Sequence, residues 1–488
     1  MLEYVCIIIS TFLFVYSIRT LIFLHSAWSH NLESGMTAQR LPMISSLALE
    51  NNKVSTTVTY NENISPHDYP AYPANQLSEL SNHYNIINNE SGKKFNYLEL
   101  NSPRFSNHGP VVSLIVATNN EEEVIDRLLK SVEMITYNQE KFEVIVVDDS
   151  TDSTARILEL WTKKMKNLSI IRRKERIGSK GGALNFALQS LREDSTWVIV
   201  IDADTILPSD IIEQFLSCVN ESQDKFQAIQ GYCIPYNSCA NSNSRSVNWV
   251  SRGIELRLAQ RNMIEFVAKN KLSLPIQITG NLFMIKTAIL KQVGLSADVC
   301  EDWDLTLDLY LRENNSVQCD TNVLFDETIN ARNQVPISFG SYFNQRLRVS
   351  EGHTRGFIKK IPTLIARKQS LKNKVELFFT GCRYLRYLLL ASVLILDFVG
   401  LLIVGSKQLN IYFMLALAIQ FLWIAVSLFV KVSGLAICRR TGHYTVKFLI
   451  SQLVIEFCVS PALILGSLLA IFRNKTSFHR TQRFSINA

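Results

Sequence analysis

Apolar residues are unevenly spread along this chain, and their spacing divides it into segments of different kinds. In the middle, "VVSLIVA" (111–117) and "FEVIVV" (142–147) are short aliphatic, β-branched runs of buried-strand type. Between them, "EEEVIDRLLKSVEMI" places its apolar residues at helical spacing behind an acidic first turn. "STARILELWTKKM" predicts a second helix, capped by Asp152 or Ser153. "LSIIRR" then predicts a third strand, "GGALNFALQSL" a third helix and "TWVIVI" a fourth strand. This strict alternation predicts an α/β domain with a parallel, doubly wound sheet and right-handed crossovers.

The two ends of the chain are apolar for longer. A helix crossing a hydrocarbon core of about 30 Å needs about 20 largely apolar residues. Residues 4–24 meet that length with one interior charge, Arg19, which is expected to snorkel towards an end. The start "MLEY" lacks the basic n-region of a signal peptide, so a retained anchor is expected. Residues 385–405, 410–430 and 446–472 are three further candidate spans, with Asp397 and Glu456 inside them either functional or packed between helices. The basic stretches 355–374 and 431–447 are expected on the cytosolic side. The tail 473–483 is basic too, and agrees with them only if Pro461 breaks the last span into a re-entrant or interfacial piece.

Residues 26–108 are rich in Asn, Ser and Tyr and too poor in periodic apolar positions to build a core, which predicts a partly disordered linker. The net charge of +7 gathers largely before the C-terminal apolar region, a pattern that fits a lipid bilayer and excludes nucleic acid. Nine scattered cysteines form no CxxC pair, and Cys233 and Cys239 have no partner at zinc spacing, so reduced structural thiols are expected.

In doubly wound sheets, ligands bind outside the carboxyl ends of the strands. Here those ends carry "TNNEEE", "DDSTD", "RKERIGSKGG" and "DADT", so Asp148, Asp149, Asp202 and Asp204 should share one rim. Four carboxylates together raise one another's pKa values unless a cation or donor groups accompany them. In extended chain Asp202 and Asp204 would face the same side. They would then hold Mg2+ or Mn2+, whose shell water and phosphate oxygens complete, which implies a diphosphate or triphosphate partner. "GSKGG" (178–182) lacks the spacing of a P-loop and reads as a flexible turn into a helix.

With these residues in place, the chain resembles the family 2 glycosyltransferases, in particular the membrane-integrated branch with cellulose, mannan, chitin and hyaluronan synthases. "VSLIVATNNEEEVIDRLLKSV", "EVIVVDDSTDST", "KGGALNFAL", "VIDADT", "TGNLFMIKTAIL", "EDWDLTLDL" and "QRLRVSEG" stand in the family's order between about 110 and 355. The resemblance implies a GT-A-like fold beside an α-helical transmembrane region. It makes Asp149 the carboxylate on the donor base, with Asp148 supporting its loop, and places Lys180 in the donor pocket. Asp204, helped by Asp202, becomes the metal ligand, and Asp302 the general base with Glu301 beside it. Gln345 and Arg348 reach the donor diphosphate, and Thr279, Gly280 and Asn281 approach the acceptor, while Arg346 is structural or interfacial. His353 reads as a polar interface residue, and Trp249 and Trp303 either stack on sugars or pack in the core. Where the family has Trp after the arginine, this chain has Val349, which puts polymer extension in doubt and favours single transfer to a lipid.

These readings divide the chain into an anchor (1–25), a linker (26–108), a cytosolic glycosyltransferase domain (109–335), amphipathic interfacial helices (336–380), transmembrane helices (381–472) and a basic tail (473–488). The expected activity is inverting transfer of a hexosyl unit from a UDP- or GDP-sugar to a glycan or lipid acceptor. A nucleotidyltransferase would share the sheet and the metal-binding aspartates but leave Glu301, Asp302 and the "QRLR" segment without a role. A non-catalytic membrane scaffold would keep the nucleotide pocket alone.

Overall fold

The computed structural model describes residues 2–33, 109–235, 248–312, 322–404, 411–439 and 442–473. A seven-stranded sheet forms the centre of the middle region. Its strands are β1 (Val111–Thr118), β2 (Phe142–Asp148), β3 (Leu168–Ile171), β4 (Ser195–Asp202), β5 (Ala228–Pro235), β6 (Phe283–Lys286) and β7 (Val323–Asn333). They lie in the order β3-β2-β1-β4-β6-β5-β7. The first four are parallel, as the alternation predicts, and their near-continuous apolar runs follow from burial on both faces. Helices Ile125–Glu133, Thr154–Thr162 and Lys180–Leu188 supply the crossovers. Ser153 stands at the N-cap of the second helix without a side-chain capping bond, and Asp152 before it accepts a hydrogen bond from the Thr154 amide at 3.0 Å.

β6 runs antiparallel to both neighbours, and β5 pairs parallel with β7, giving a mixed, mostly parallel sheet. The register brings the functional edge together. Thr118 at the end of β1 pairs with Asp148 of β2, while Ala117 pairs with Asp202 of β4, so two carboxylates flank one strand end.

Among the described residues, three helices are long and apolar enough to cross a membrane: Val5–Asn31, Met414–Cys438 and Val446–Phe472. Leu385–Val404 is helical as well. The N-terminal helix spans Leu2–Glu33 and so extends past the expected linker boundary at 26; Ala27 and Asn31 are buried, and Lys271 donates to Ser29 at 3.1 Å. Residues 34–108, the rest of that linker, and the tail beyond 473 lie outside the described residues.

Two expectations about charged and breaking residues change, and for Asp397 and Glu456 one of the two expected roles is seen. Arg19 does not snorkel: it donates to both oxygens of Glu376, at 2.8 and 2.5 Å, where the helix Leu371–Gly381 packs against it. Pro461 does not break its helix, which runs unbroken from Val446 to Phe472; the carbonyl of Phe457, which Pro461 cannot bond, accepts from Ser460 Oγ at 2.8 Å. Asp397 and Glu456 serve as polar packing between helices. Asp397 accepts from Gln420 at 2.7 Å, and Glu456 pairs with Lys431 and accepts from Gln452.

The amphipathic segment forms two helices, Phe339–Ala366 and Leu371–Gly381. The first crosses Val446–Phe472 closely enough that a Cβ on Gly466 would meet Ser350 Oγ and the Leu347 carbonyl. None of the seven described cysteines, Cys6, Cys218, Cys233, Cys300, Cys382, Cys438 and Cys458, is in a disulfide.

Candidate active site

Asp148, Asp149 and Asp202 on the rim each have a cation beside them. β2 and β3 pair in parallel register up to Val147 and Ile171, so the residues that follow, Asp148–Asp149 and Arg172–Arg173, fall side by side. Arg172 donates to Asp148 at 2.8 Å, and Thr118 Oγ1 and the Ser150 amide donate to the same carboxylate at 3.2 and 3.0 Å. Arg173 forms a two-pronged pair with Asp149, both side chains almost fully buried.

Lys180 joins the rest of the rim. Its ammonium donates to Asp202 at 2.6 Å and to the Gly280 carbonyl at 2.5 Å, and lies 3.5 Å from Glu301. Burial works against its charge, yet Asp202, Glu301 and Asp302 outweigh that and hold its pKa above the ordinary lysine value. "KGG" is therefore more than a flexible turn. A Cβ on Gly181 would meet the Ser296 carbonyl at 1.9 Å and Glu301 Cβ at 3.0 Å, so glycine lets the lysine's helix approach Glu301. Asn185, one turn on, locks the same approach by exchanging hydrogen bonds with the Leu295 backbone at 2.6 and 2.8 Å.

The segment 279–281 reaches the same place from the other side. Gly280 has φ +74, and a Cβ there would lie 3.3 Å from Asp302. Asn281 Oδ1 accepts from the Asp202 amide at 3.0 Å and from Thr205 Oγ1 at 3.1 Å, tying this loop to the end of β4. Thr279 is held through its amide by the fully buried Gln230, which also donates to the Asn281 carbonyl at 3.0 Å. The sequence reading missed Gln230, whose signal is a lone amide side chain in an otherwise apolar strand.

Glu301 and Asp302 open the helix Glu301–Leu311. Burial pushes Glu301 up to about 7, with Lys180 opposing and Asp302 adding to the rise. Burial raises Asp302 as well, against Lys180 and the Trp303 amide, which donates to it at 2.8 Å. Both carboxyls are thus tuned towards neutral pH, which suits proton transfer. Trp303 is fully buried and its ring lies 4.5 Å from that of His353, at 13°, so it is core and not a sugar platform. Burial, with Arg383 and Arg346, holds His353 well below its usual pKa and therefore neutral.

Asp202 and Asp204 both act on the half-buried Cys233 in β5, so they converge, but not as an extended pair. β4 ends at Asp202, and a turn closed by the Thr205 amide on the Asp202 carbonyl carries Asp204. The two hard carboxylates, at a place where Lys180 already shows that a cation is attracted, suit Mg2+ or Mn2+ with water and phosphate oxygens completing the shell. Among the described residues, no three His, Cys, Asp or Glu gather into a protein-only metal cage.

Gln345 and Arg348 lie half-buried on Phe339–Ala366. Arg348 acts on Cys300, and the Cys300 thiol donates to the Val349 carbonyl at 3.5 Å, so this helix abuts the start of the Glu301 helix. The Val349 side chain packs partly buried against apolar neighbours. Arg346 points elsewhere and donates to the Tyr384 hydroxyl. Trp249 is partly exposed and stacks on Phe339 at 6.1 Å.

Residues 113–286 match the family described as Glycosyl transferase family 2. A poly(ribitol-phosphate) beta-glucosyltransferase of Bacillus spizizenii is 26% identical over 199 residues, covering 38% of this chain and 31% of that protein. A beta-monoglucosyldiacylglycerol synthase of Synechocystis sp. is 26% identical over 273 residues, covering 55% of this chain and 53% of that one. The chain thus spans about half the length, or less, of these relatives. The solved mannosyltransferase PcManGT from Pyrobaculum calidifontis, in complex with GDP-Man and Mn2+, superposes with a TM-score of 0.53 at 19% identity, covering 76% of this chain and 89% of that one. That likeness shows a GT-A-like fold. Residues 113–286 of this chain are accordingly a glycosyltransferase family 2 domain, set among helices long and apolar enough to cross a membrane.

Proposed function

We propose that the protein is a membrane-bound, inverting glycosyltransferase that moves a hexosyl unit from a nucleoside-diphosphate sugar to a lipid-linked or polysaccharide acceptor at the cytosolic face. The observation that carries this reading is the meeting of four separate segments at Lys180, Asp202, Gly280 and Glu301–Asp302.

In this reading Asp148 and Asp149, stiffened by Arg172 and Arg173, bound the pocket for the donor base. Asp202 and Asp204 would hold Mg2+ or Mn2+, which when bound neutralises charge on the leaving diphosphate. Lys180, Gln345 and Arg348 add positive or polar groups on the donor side. Asp302 takes the proton from the acceptor hydroxyl, and its raised pKa makes it a stronger base than an ordinary aspartate. Thr279, Gly280 and Asn281 shape the acceptor end, and Gly280 leaves room beside Asp302 that any side chain would fill. With one base and no separate nucleophile assigned among the described residues, the reading is one in-line displacement, hence inversion.

Of the two acceptor classes, we favour the lipid. The helices suited to a membrane and the Synechocystis relative's name support it, as does Val349, an aliphatic residue that offers a sugar ring no aromatic face. The test is to supply the purified protein with Mn2+ or Mg2+ and a panel of nucleotide sugars. Nucleoside diphosphate release identifies the donor, and product length separates single transfer from polymer extension.

A further inference from the structure

A cavity of about 680 Å³, lined by none of the rim residues, lies among the N-terminal helix, the helix Trp249–Gln260 with the turn Arg261–Phe266, and the C-terminal apolar helices. Its polar wall is strongly basic. Some of that charge is matched: Arg383 donates to Glu265 at 2.9 Å, Arg19 pairs with Glu376, and Lys431 pairs with Glu456. Arg257, Arg261, Arg346 and Arg386 also line the cavity, and none of the four has a carboxylate within ion-pair distance among the described residues.

Aromatic rings take up part of the remaining charge. Arg346 lies 5.5 Å from the centroid of Tyr384, and Arg386 lies 4.6 Å from that of Tyr16. Rings do not accept the guanidinium hydrogen bonds, however. The Nε atoms of Arg257, Arg261 and Arg386 are buried and without an acceptor among the described residues. Burial, Arg257 and Arg383 push Arg261 down to about 10, the sign of a cation held among cations. Buried guanidinium donors without acceptors are costly, and their planar fork matches phosphate oxygens.

The opposite wall is apolar. Leu394, Ile424, Leu428 and Phe457 line the cavity yet are exposed to the outside, at 50%, 49%, 46% and 80%. The last three belong to helices long and apolar enough to cross a membrane, so this side would open onto lipid tails. A free phosphate would leave that wall empty, and a neutral glycan would leave the arginines unmatched.

We propose that this cavity binds a phosphate-bearing lipid, its phosphate against Arg257 and Arg261 and its chains running out past Leu394, Ile424 and Leu428. The site is joined to the rim through packed rings: Arg346 holds the Tyr384 hydroxyl, Tyr384 meets His353 edge-on at 5.0 Å, and His353 stacks on Trp303, the neighbour of Asp302. The assignment rests on charge and shape alone and stands whether or not the rim transfers sugar.

The test is native mass spectrometry of the full chain in neutral detergent, titrated with dioleoyl phosphatidic acid, dioleoyl phosphatidylcholine, inorganic phosphate or cellopentaose. The expected result is one phosphatidic acid bound at least about ten-fold more tightly than phosphatidylcholine, as charge-assisted hydrogen bonds warrant. Neither inorganic phosphate nor cellopentaose should displace it at equal concentration. R257Q/R261Q should lose the preference and R257K/R261K keep most of it, with unfolding temperatures recorded to show that both variants fold. If the glutamine pair does not fold, the wild-type titration decides. Equal binding of the two lipids, displacement by phosphate or cellopentaose, or an unchanged preference in a folded R257Q/R261Q each overturns the site.

Discussion

Lys180 and Asp202 form a 2.6 Å ion pair that joins the helix after β3 to the end of β4, and the same ammonium reaches the Gly280 carbonyl and Glu301. One side chain therefore ties the donor side of the rim to the pair expected to do the proton chemistry. Replacing it by methionine keeps the length and removes the charge. Lys180→Met is expected to lower the rate of nucleoside diphosphate release by about 100-fold or more, the scale seen when one preorganised electrostatic group is lost. Steady-state kinetics over donor concentration check it.

Gly280 offers a second test, because its constraint is geometric. At φ +74 and with Asp302 3.3 Å from where a Cβ would stand, alanine meets both backbone strain and a crowded carboxylate. Gly280→Ala is expected to cost more than about 1 kcal/mol of stability. Activity should fall further than that loss explains, because Asp302 must move. Thermal unfolding and turnover, measured on the same preparation, separate the two effects.

The pH dependence follows from Glu301 and Asp302. Both are raised by burial, Glu301 to about 7, so the base is protonated and idle at acid pH. Turnover should therefore rise with pH and reach its plateau at a higher pH than an ordinary aspartate base would give. For stability the sign is the reverse of the usual carboxylate case. Glu301 binds its proton more tightly folded than unfolded, so its contribution is full below 4.5 and is lost as pH rises through about 7. Glu301→Gln should flatten that fall, as seen in unfolding temperatures taken from pH 5 to 8.

Arg19 provides a test of the fold outside the rim. It and Glu376 are both almost fully buried, at 11% and 4% exposure, so removing one partner strands the other. Arg19→Leu is expected to destabilise by about 3–5 kcal/mol, and Arg19→Leu with Glu376→Leu by less than Arg19→Leu alone. Lys269, 2.9 Å from Glu376, limits the recovery. Unfolding of the three proteins in one detergent gives the comparison.

What the sequence made legible depended on how local the cause was. β1 to β4 were readable because each is a mostly apolar run between helical patterns, and parallel order then placed Asp148, Asp149 and Asp202 on one edge. β6 has only four residues and pairs antiparallel, so no period marks it, and β5 is interrupted by Gly231 and ends at Pro235. The turn that carries Asp204 is set by one backbone hydrogen bond, which residue spacing does not reveal. Arg19 was read from its own helix, while its partner stands 357 positions away. The pairing of Arg172 and Arg173 with Asp148 and Asp149 was within reach, since parallel register alone puts those dipeptides side by side.

The measurement that tests the central claim most directly compares the wild-type chain and Asp302→Asn, reconstituted in phospholipid vesicles with Mn2+ or Mg2+ and a panel of UDP- and GDP-sugars. The account predicts nucleoside diphosphate release and a glycosylated product from at least one donor, with Asp302→Asn slower by about 100-fold or more while still binding that donor. Undiminished transfer by Asp302→Asn would contradict it, as would release of diphosphate from no donor by the wild-type protein.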